Sequence, residues 1–211
     1  MKLYQNEISS ATSRVRIALA LKGLTAEALP VTILGEDSES RQAGYRSVNP
    51  QGLVPALLTD SGVLLTQSLA IVEYLDELQP RPPLLPDTAE DRALARSIAL
   101  AITAEIHALL PPRIGLHLRA TFQADADAII AWDRHWVGEG MAAVETMIAG
   151  RRQGVFAVGD RPSIADIFLF PQSIGARRLG FDLTRWPNIA EIVTKLEAMP
   201  AFRDNAPASR R

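Results

Sequence analysis

The chain is 211 residues long, carries 22 Lys+Arg against 24 Asp+Glu for a formal charge of −2, and has no cysteine. At 47% hydrophobic and 22% charged it has the makeup of a globular protein able to bury a real core, as one large domain or two small ones. The near-neutral balance speaks against nucleic acid or an anionic membrane as the main partner, and the missing cysteines exclude disulfides, thiolate metal sites and a cysteine nucleophile.

The opening MKLYQNEISS has no apolar signal core, and no apolar run reads as approaching the roughly 18 residues of a membrane span, so a cytoplasmic protein without a membrane partner is expected. Lys2–Gln5 and Leu29–Leu34 read as strands on either side of a helix that runs from Ser10 to Lys22 and stops at Gly23. Pro55–Leu58 and Val63–Leu65 flank Asp60-Ser61-Gly62, a hairpin signal, and a second helix, Ser68 to Leu78, follows directly. The order βαβ–ββα implies one parallel strand pair and an antiparallel hairpin in residues 1–79. Residues 80–91 hold four prolines and read as a linker. Residues 92–211 have helical period over Arg92–Leu110, Asp125–Ala149, Ser163–Arg178 and Ile189–Met199, with a tail from Asn205 expected to fray. The predicted architecture is a small α/β domain followed by an all-α domain.

Three places could carry chemistry. Ser9-Ser10-Ala11-Thr12-Ser13-Arg14-Val15-Arg16 lies where the first strand meets the first helix, and a helix start offers unpaired N–H groups and a positive dipole end. A hydroxyl there can donate to a thiolate or oxyanion, or can simply cap the helix. Val54-Pro55 is an X-Pro corner before a strand; a cis bond there would turn the Val54 backbone toward an extended, peptide-like ligand. Gln67-Ser68 opens the second helix, where Ser68 reads as an N-cap and the helix end could hold a carboxylate.

In this order, on this βαβ–ββα unit, the set resembles the thioredoxin-like half of glutathione transferases, and most closely the zeta class. Ser9-Ser10-x-x-x-Arg14-Val15-Arg16-Ile17-Ala18-Leu19 resembles that class's opening motif. Asn49-Pro50, Val54-Pro55, Gln67-Ser68-Leu69-Ala70-Ile71, Leu84-Leu85-Pro86, Val158-Gly159-Asp160, Ala165-Asp166 and Pro171-Gln172 through Asp182-Leu183-Thr184 follow its pattern. Two positions depart from it: Ala11 and Ser13 stand where the class usually has Cys and Trp. His107, where many members have Gln, followed by Arg113, is similar to maleylpyruvate isomerases.

The resemblance implies a thioredoxin-like glutathione-binding domain, a helical substrate domain and glutathione as the cofactor. It also implies cis–trans isomerisation of a maleyl-type acid, maleylpyruvate or maleylacetoacetate, in aromatic catabolism. The cofactor's thiolate would add to the double bond, rotation would follow, and elimination would give the fumaryl isomer. Ser9 is the expected thiolate donor, with Ser10 assisting and Thr12 a third candidate. Val54, Pro55, Gln67, Ser68 and His107 would contact glutathione, and Arg14, Arg113 and Arg178 the dicarboxylic substrate, because arginine pairs well with carboxylates. Arg16 is expected in a surface or interdomain ion pair. Ser163 and Asp166 are expected as a capping box, Trp132, Trp136 and Met141 as core, and Glu73 and Asp76 at a homodimer contact. No metal is expected. Two other functions fit the same residues: a transferase that conjugates or dehalogenates small electrophiles, and a non-catalytic binding protein of this fold.

Overall fold

β1 (Lys2–Gln5) pairs in parallel with β2 (Glu27–Pro30) and antiparallel with β3 (Ala56–Leu58), and β3 pairs antiparallel with β4 (Leu64–Thr66), so the sheet order is β2-β1-β3-β4. The computed structural model describes residues 1–209. β2 lies earlier than the apolar run LPVTIL suggested. Pairing sets Gln5 against Pro30, and proline, having no N–H, closes the ladder there. The pleat then gives the sheet two differently used faces. Leu3 and Leu57, paired across the sheet, are buried together, while Tyr4 packs with Val31, Tyr45 and Val54 in a second small cluster. That cluster includes α2 (Ala43–Val48), a short helix that no sequence signal announces.

α1 (Ser10–Lys22) ends at Gly23 in the left-handed conformation, whose N–H bonds Ala20 O, and α3 (Ser68–Leu78) packs against α1. Lys22, 5% exposed, pairs with Asp76 and donates to Pro82 O, and Leu84 N–H also donates to Asp76 (2.8 Å). Asp76 is thus bonded to Lys22 and Leu84 within its own unit.

The chain divides into two compact units, one of Met1–Leu84 with the segment from Pro200 onward, the other Leu85–Met199. The sequence carried the helical domain to 211, whereas α9 (Pro200–Arg203) and the described residues after it group with the first unit. Asn205, Ala206 and Ala208, expected to fray, are hydrogen-bonded to the first unit, and Arg210 and Arg211 lie outside the described residues. Ser13 Oγ donates to Asn205 O (2.6 Å), Arg16 Nη2 to Asn205 O and Ala206 O (3.4 and 3.3 Å), and Ala208 N–H to Glu7 O (2.9 Å). Arg16 therefore binds carbonyls of its own unit, with the charge of Glu7 acting on it as well.

The second unit holds α4 (Ala89–Leu100), α5 (Pro112–Phe122), α6 (Ala126–Ala149), α7 (Ile164–Arg178) and α8 (Pro187–Glu197). Contrary to the sequence expectation, Ala89–Phe122 is long and apolar enough to match a membrane span by length and composition, yet Ala95, Ile98, Ala99, Ile102 and Ile106 within it are fully buried in the protein. Its helix is not regular. Ala101–Ile106 is a π turn and His107–Leu109 a 3-10 turn before Pro111 breaks the path. Such π insertions recur at functional places in helices.

Gly140 on α6 allows the π turn to seat, because a Cβ there would sit inside the Ile106 side chain. Gly140→Ala is expected to cost about 1–3 kcal/mol by overpacking, seen as a lower melting temperature that Ile106→Ala partly restores. Met141, one residue on, is fully buried as expected, but Trp132 and Trp136 are only half-buried, with Trp132 Nε1 donating to Leu109 O (3.0 Å).

Candidate functional site

The strand register brings the three sequence motifs of the first unit to one end of the sheet. Tyr4 lies opposite Ala56 and Ala56 opposite Thr66. The loop leaving β1, the corner entering β3 and the turn leaving β4 therefore share that end. Ser9, Val54-Pro55 and Gln67-Ser68 sit on those three connections.

The first connection is fixed by Asn6, a residue that sequence reasoning passed over. Its side chain donates to Val31 O (2.8 Å) and accepts from Ile8 N–H (3.2 Å), and its carbonyl takes the Ser9 N–H (3.1 Å). Ser9, in extended conformation, is the N-cap of α1, its Oγ accepting from Thr12 N–H at 3.2 Å. Capping and donating are compatible in one hydroxyl: the bond from Thr12 uses a lone pair, and the hydroxyl hydrogen stays available. Thr12 itself is fully buried, its Oγ1 accepting from Asn6 N–H at 3.4 Å, so it has no route to a ligand. Ser9 and Ser10 are both half-buried. α1 has no acidic residue in its first turn, which leaves the positive end of its dipole uncompensated.

The second connection is a pinned corner. Leu53 O accepts from Tyr45 Oη (2.8 Å) and Asn49 Nδ2 (2.7 Å), and the Val54–Pro55 bond is cis. Gly52 has φ +64°, and a Cβ there would lie 2.5 Å from Ser40 O, so only glycine fits this turn. The Val54 side chain is spent in the cluster with Val31 and Tyr45. Among the described residues none pairs with the Val54 N–H or C=O.

The third connection departs from the sequence reading: Gln67, not Ser68, occupies the cap position of α3, and no side chain caps the helix. Gln67 is exposed with φ +68°, a region that costs a residue with a Cβ about 1–3 kcal/mol. Its Nε2 donates to Gln51 Oε1 (2.8 Å), which marks Gln51 as a further residue of this end. Ser68, 6% exposed, accepts at Oγ from Arg14 Nη1 (3.4 Å). Arg14 is 1% exposed and burial pulls its guanidinium down to about 9, which still leaves it charged at neutral pH. Two helix starts and a buried cation thus make this end of the sheet electropositive, with the half-buried Ser9 and a free strand-like backbone beside them. A peptide carrying a thiol and carboxylates fits those groups.

The remaining candidates belong to the second unit. His107, half-buried, opens the 3-10 turn, and its N–H bonds Ile102 O across the π turn. Arg113 is exposed in the first turn of α5, and Arg178 is exposed in the last turn of α7. Its neighbour Arg177 pairs with Glu197. Ser163 and Asp166 form the expected capping box at the start of α7. His135 lies 3.7 Å from Glu139, and among the described residues no group of three His, Asp or Glu gathers to hold a metal ion.

Residues 8–78 match the model of the glutathione S-transferase N-terminal domain and residues 118–202 that of the C-terminal domain. The chain belongs to the glutathione S-transferase family. It is 44% identical over 210 residues to a maleylacetoacetate isomerase of Pseudomonas aeruginosa, covering 100% of this chain and 97% of that one. Among solved structures it resembles a maleyl pyruvate isomerase, described as a bacterial zeta-class glutathione S-transferase, with TM-score 0.92, 41% identity and coverage of 100% and 98% of the two chains. It also resembles a maleylacetoacetate isomerase of Methylobacterium extorquens with bound malonate and glutathione, with TM-score 0.93, 33% identity and the same coverage. Within the family its likeness is to the zeta class.

Proposed function

We propose that this protein is a glutathione-dependent cis–trans isomerase of a maleyl-type enedione acid, maleylpyruvate or maleylacetoacetate, acting in aromatic catabolism as a cytoplasmic homodimer. The observation that carries the reading is the Ser9 hydroxyl, fixed as the cap of α1 with its hydrogen left to donate, at the positive end of that helix. Bound glutathione supplies a sulfur nucleophile that adds reversibly to the substrate's cis double bond and so frees it to rotate. Ser9 holds that sulfur as thiolate. A free thiol has a pKa of about 8.5, and each unit of lowering takes about 1.4 kcal/mol, within reach of a hydroxyl donor and a helix end. Ser10, the first residue of α1, assists.

The Val54 N–H and C=O pair with the cofactor's backbone at the corner shaped by Pro55. Gln67 and the open start of α3 at Ser68 take a carboxylate. Arg14, too buried to grip a ligand, is a positioning residue that holds Ser68 and adds positive potential. On the second unit, Arg113 and Arg178 are the substrate's carboxylate partners, and His107 contacts glutathione.

The test is purified protein with maleylpyruvate, then maleylacetoacetate, followed with and without glutathione. Conversion only with glutathione, and without its consumption, supports the isomerase. Consumption of glutathione by haloacids or other electrophiles with neither acid converted would replace it with the transferase reading. Arg113→Ala is expected to raise the substrate KM about tenfold or more with kcat little changed, the mark of a contact made equally in ground and transition states. An effect confined to the glutathione KM would move Arg113 to the cofactor.

A further inference from the structure

We propose that the C-terminal segment Pro200–Ala208 is a positioning element for the thiol site, holding Ser9 in its donating geometry from both sides. The proposal rests on Ser9 being the thiolate donor. The segment is built into the first unit: Phe202 is fully buried, Pro207 is buried, and Asn205 Nδ2 donates back to Ala201 O (2.9 Å). From that anchor it reaches the chain two residues before Ser9, where Ala208 N–H donates to Glu7 O (2.9 Å). It also reaches the chain four residues after Ser9, where Ser13 Oγ donates to Asn205 O (2.6 Å). Arg16, one turn further along the helix, bonds the Asn205 and Ala206 carbonyls.

Ser13 is wholly buried and its own N–H bonds Ser9 O (3.0 Å), so a shift of Ser13 passes directly to the cap. Asn6 holds Ile8 and Ser9 from within the loop through their N–H groups, while Glu7 O has the segment as its partner. A hydroxyl that must meet a sulfur tolerates an error of about 0.5 Å and 10–20°. Both tethers to the segment lie within four residues of Ser9, on either side of it. The segment contributes no group to the ligand; it sets where Ser9 points.

The experiment compares the full chain with a chain ending at Asp204, with Ala208→Pro, which removes the donor to Glu7, and with Ser13→Ala and Ser13→Thr. Three readouts are taken: hydrogen exchange at the Thr12 and Ser13 amides without ligand, the pH midpoint of thiol ionisation of bound glutathione by ultraviolet absorbance, and the kcat and KM values. In the shortened chain and in Ala208→Pro, exchange at Thr12 and Ser13 is expected to quicken about tenfold, the midpoint to rise by about half a unit or more, and kcat to fall about tenfold with KM little moved. Ser13→Ala shifts all three in the same sense, and Ser13→Thr, which keeps the hydroxyl, restores them. Unchanged exchange and an unchanged midpoint in Ala208→Pro and Ser13→Ala overturn the proposal, and these two decide it if the chain ending at Asp204 does not fold. A full-length protein that binds glutathione without ionising it overturns the Ser9 assignment instead.

Discussion

Ser9→Ala is expected to slow glutathione-dependent isomerisation about tenfold or more at saturating substrate, and to raise the pH at which bound glutathione ionises. The difficulty with that variant is its second effect. Ser9 also caps α1 through Thr12 N–H, and losing an N-cap hydroxyl costs about 1 kcal/mol of stability. A fall in activity could then follow from a loosened helix start. Ser9→Asp separates the two roles. Aspartate caps as well as serine, so the melting temperature should hold. A carboxylate, however, accepts hydrogen bonds only and repels a thiolate beside it. Turnover in Ser9→Asp is therefore expected to fall below that of Ser9→Ala while stability stays near that of the unaltered chain. Ser9→Thr keeps both cap and donor and should keep most of the activity. Activity that follows the cap instead, high in Ser9→Asp and low in Ser9→Ala, would transfer the donor role to Ser10. Thr12 is not an heir, since it is fully buried and engaged with Asn6.

The α1 helix has an unusual sequence pattern. α1 was legible by its ends, a serine start and a glycine stop, and not by an apolar stripe. Thr12, Ser13 and Arg14 are buried alongside Val15, Ile17 and Ala18, so almost the whole circumference of the helix is covered. The polar residues are matched by partners far along the chain: Ser68 for Arg14, Asn205 for Ser13. Neither pairing leaves a local signal, which is why the closing residues read as loose and Arg16 as part of a surface or interdomain ion pair. The hairpin and the parallel pair were legible because turn residues and short apolar runs are local. Their convergence at one end of the sheet depends on register, which only the folded sheet supplies. The π turn before His107 is another such case, depending on the space left at Gly140, thirty-odd residues away in sequence. At Gln67-Ser68 the helix start was readable, but that Gln67 rather than Ser68 takes the cap position, with φ +68° and a bond to Gln51, was not.

Asp166→Ala is expected to be the most destabilising of these substitutions, at about 3–5 kcal/mol, because it strands buried donors. The carboxylate is wholly buried and accepts from Ala157 N–H (2.9 Å), Ser163 N–H (2.8 Å) and Ser163 Oγ (3.0 Å). It thus ties the 151–162 loop to the first turn of α7, whose residues Ile164, Ala165, Ile167 and Phe168 are all at 0% exposure. Asp166→Asn keeps an acceptor and the volume and should lose less. The same burial gives the group a pH signature. Desolvation, against the three hydrogen bonds, pushes its carboxyl from 3.8 up to about 6. With the folded value above the unfolded one, the native state binds more protons between those limits, and the slope of stability with pH is negative there. The group's contribution is complete below about pH 4 and is lost as pH rises through 6. Measured as a difference in unfolding free energy, the full-length chain minus Asp166→Asn, which cannot titrate, stability should fall by up to about 3 kcal/mol from pH 4 to pH 7. A difference that instead grows over that range would mean that the three donors outweigh desolvation and hold Asp166 ionised in the fold. Either slope, at unchanged glutathione affinity, keeps Asp166 out of the catalytic site and in the architecture that supports the second unit.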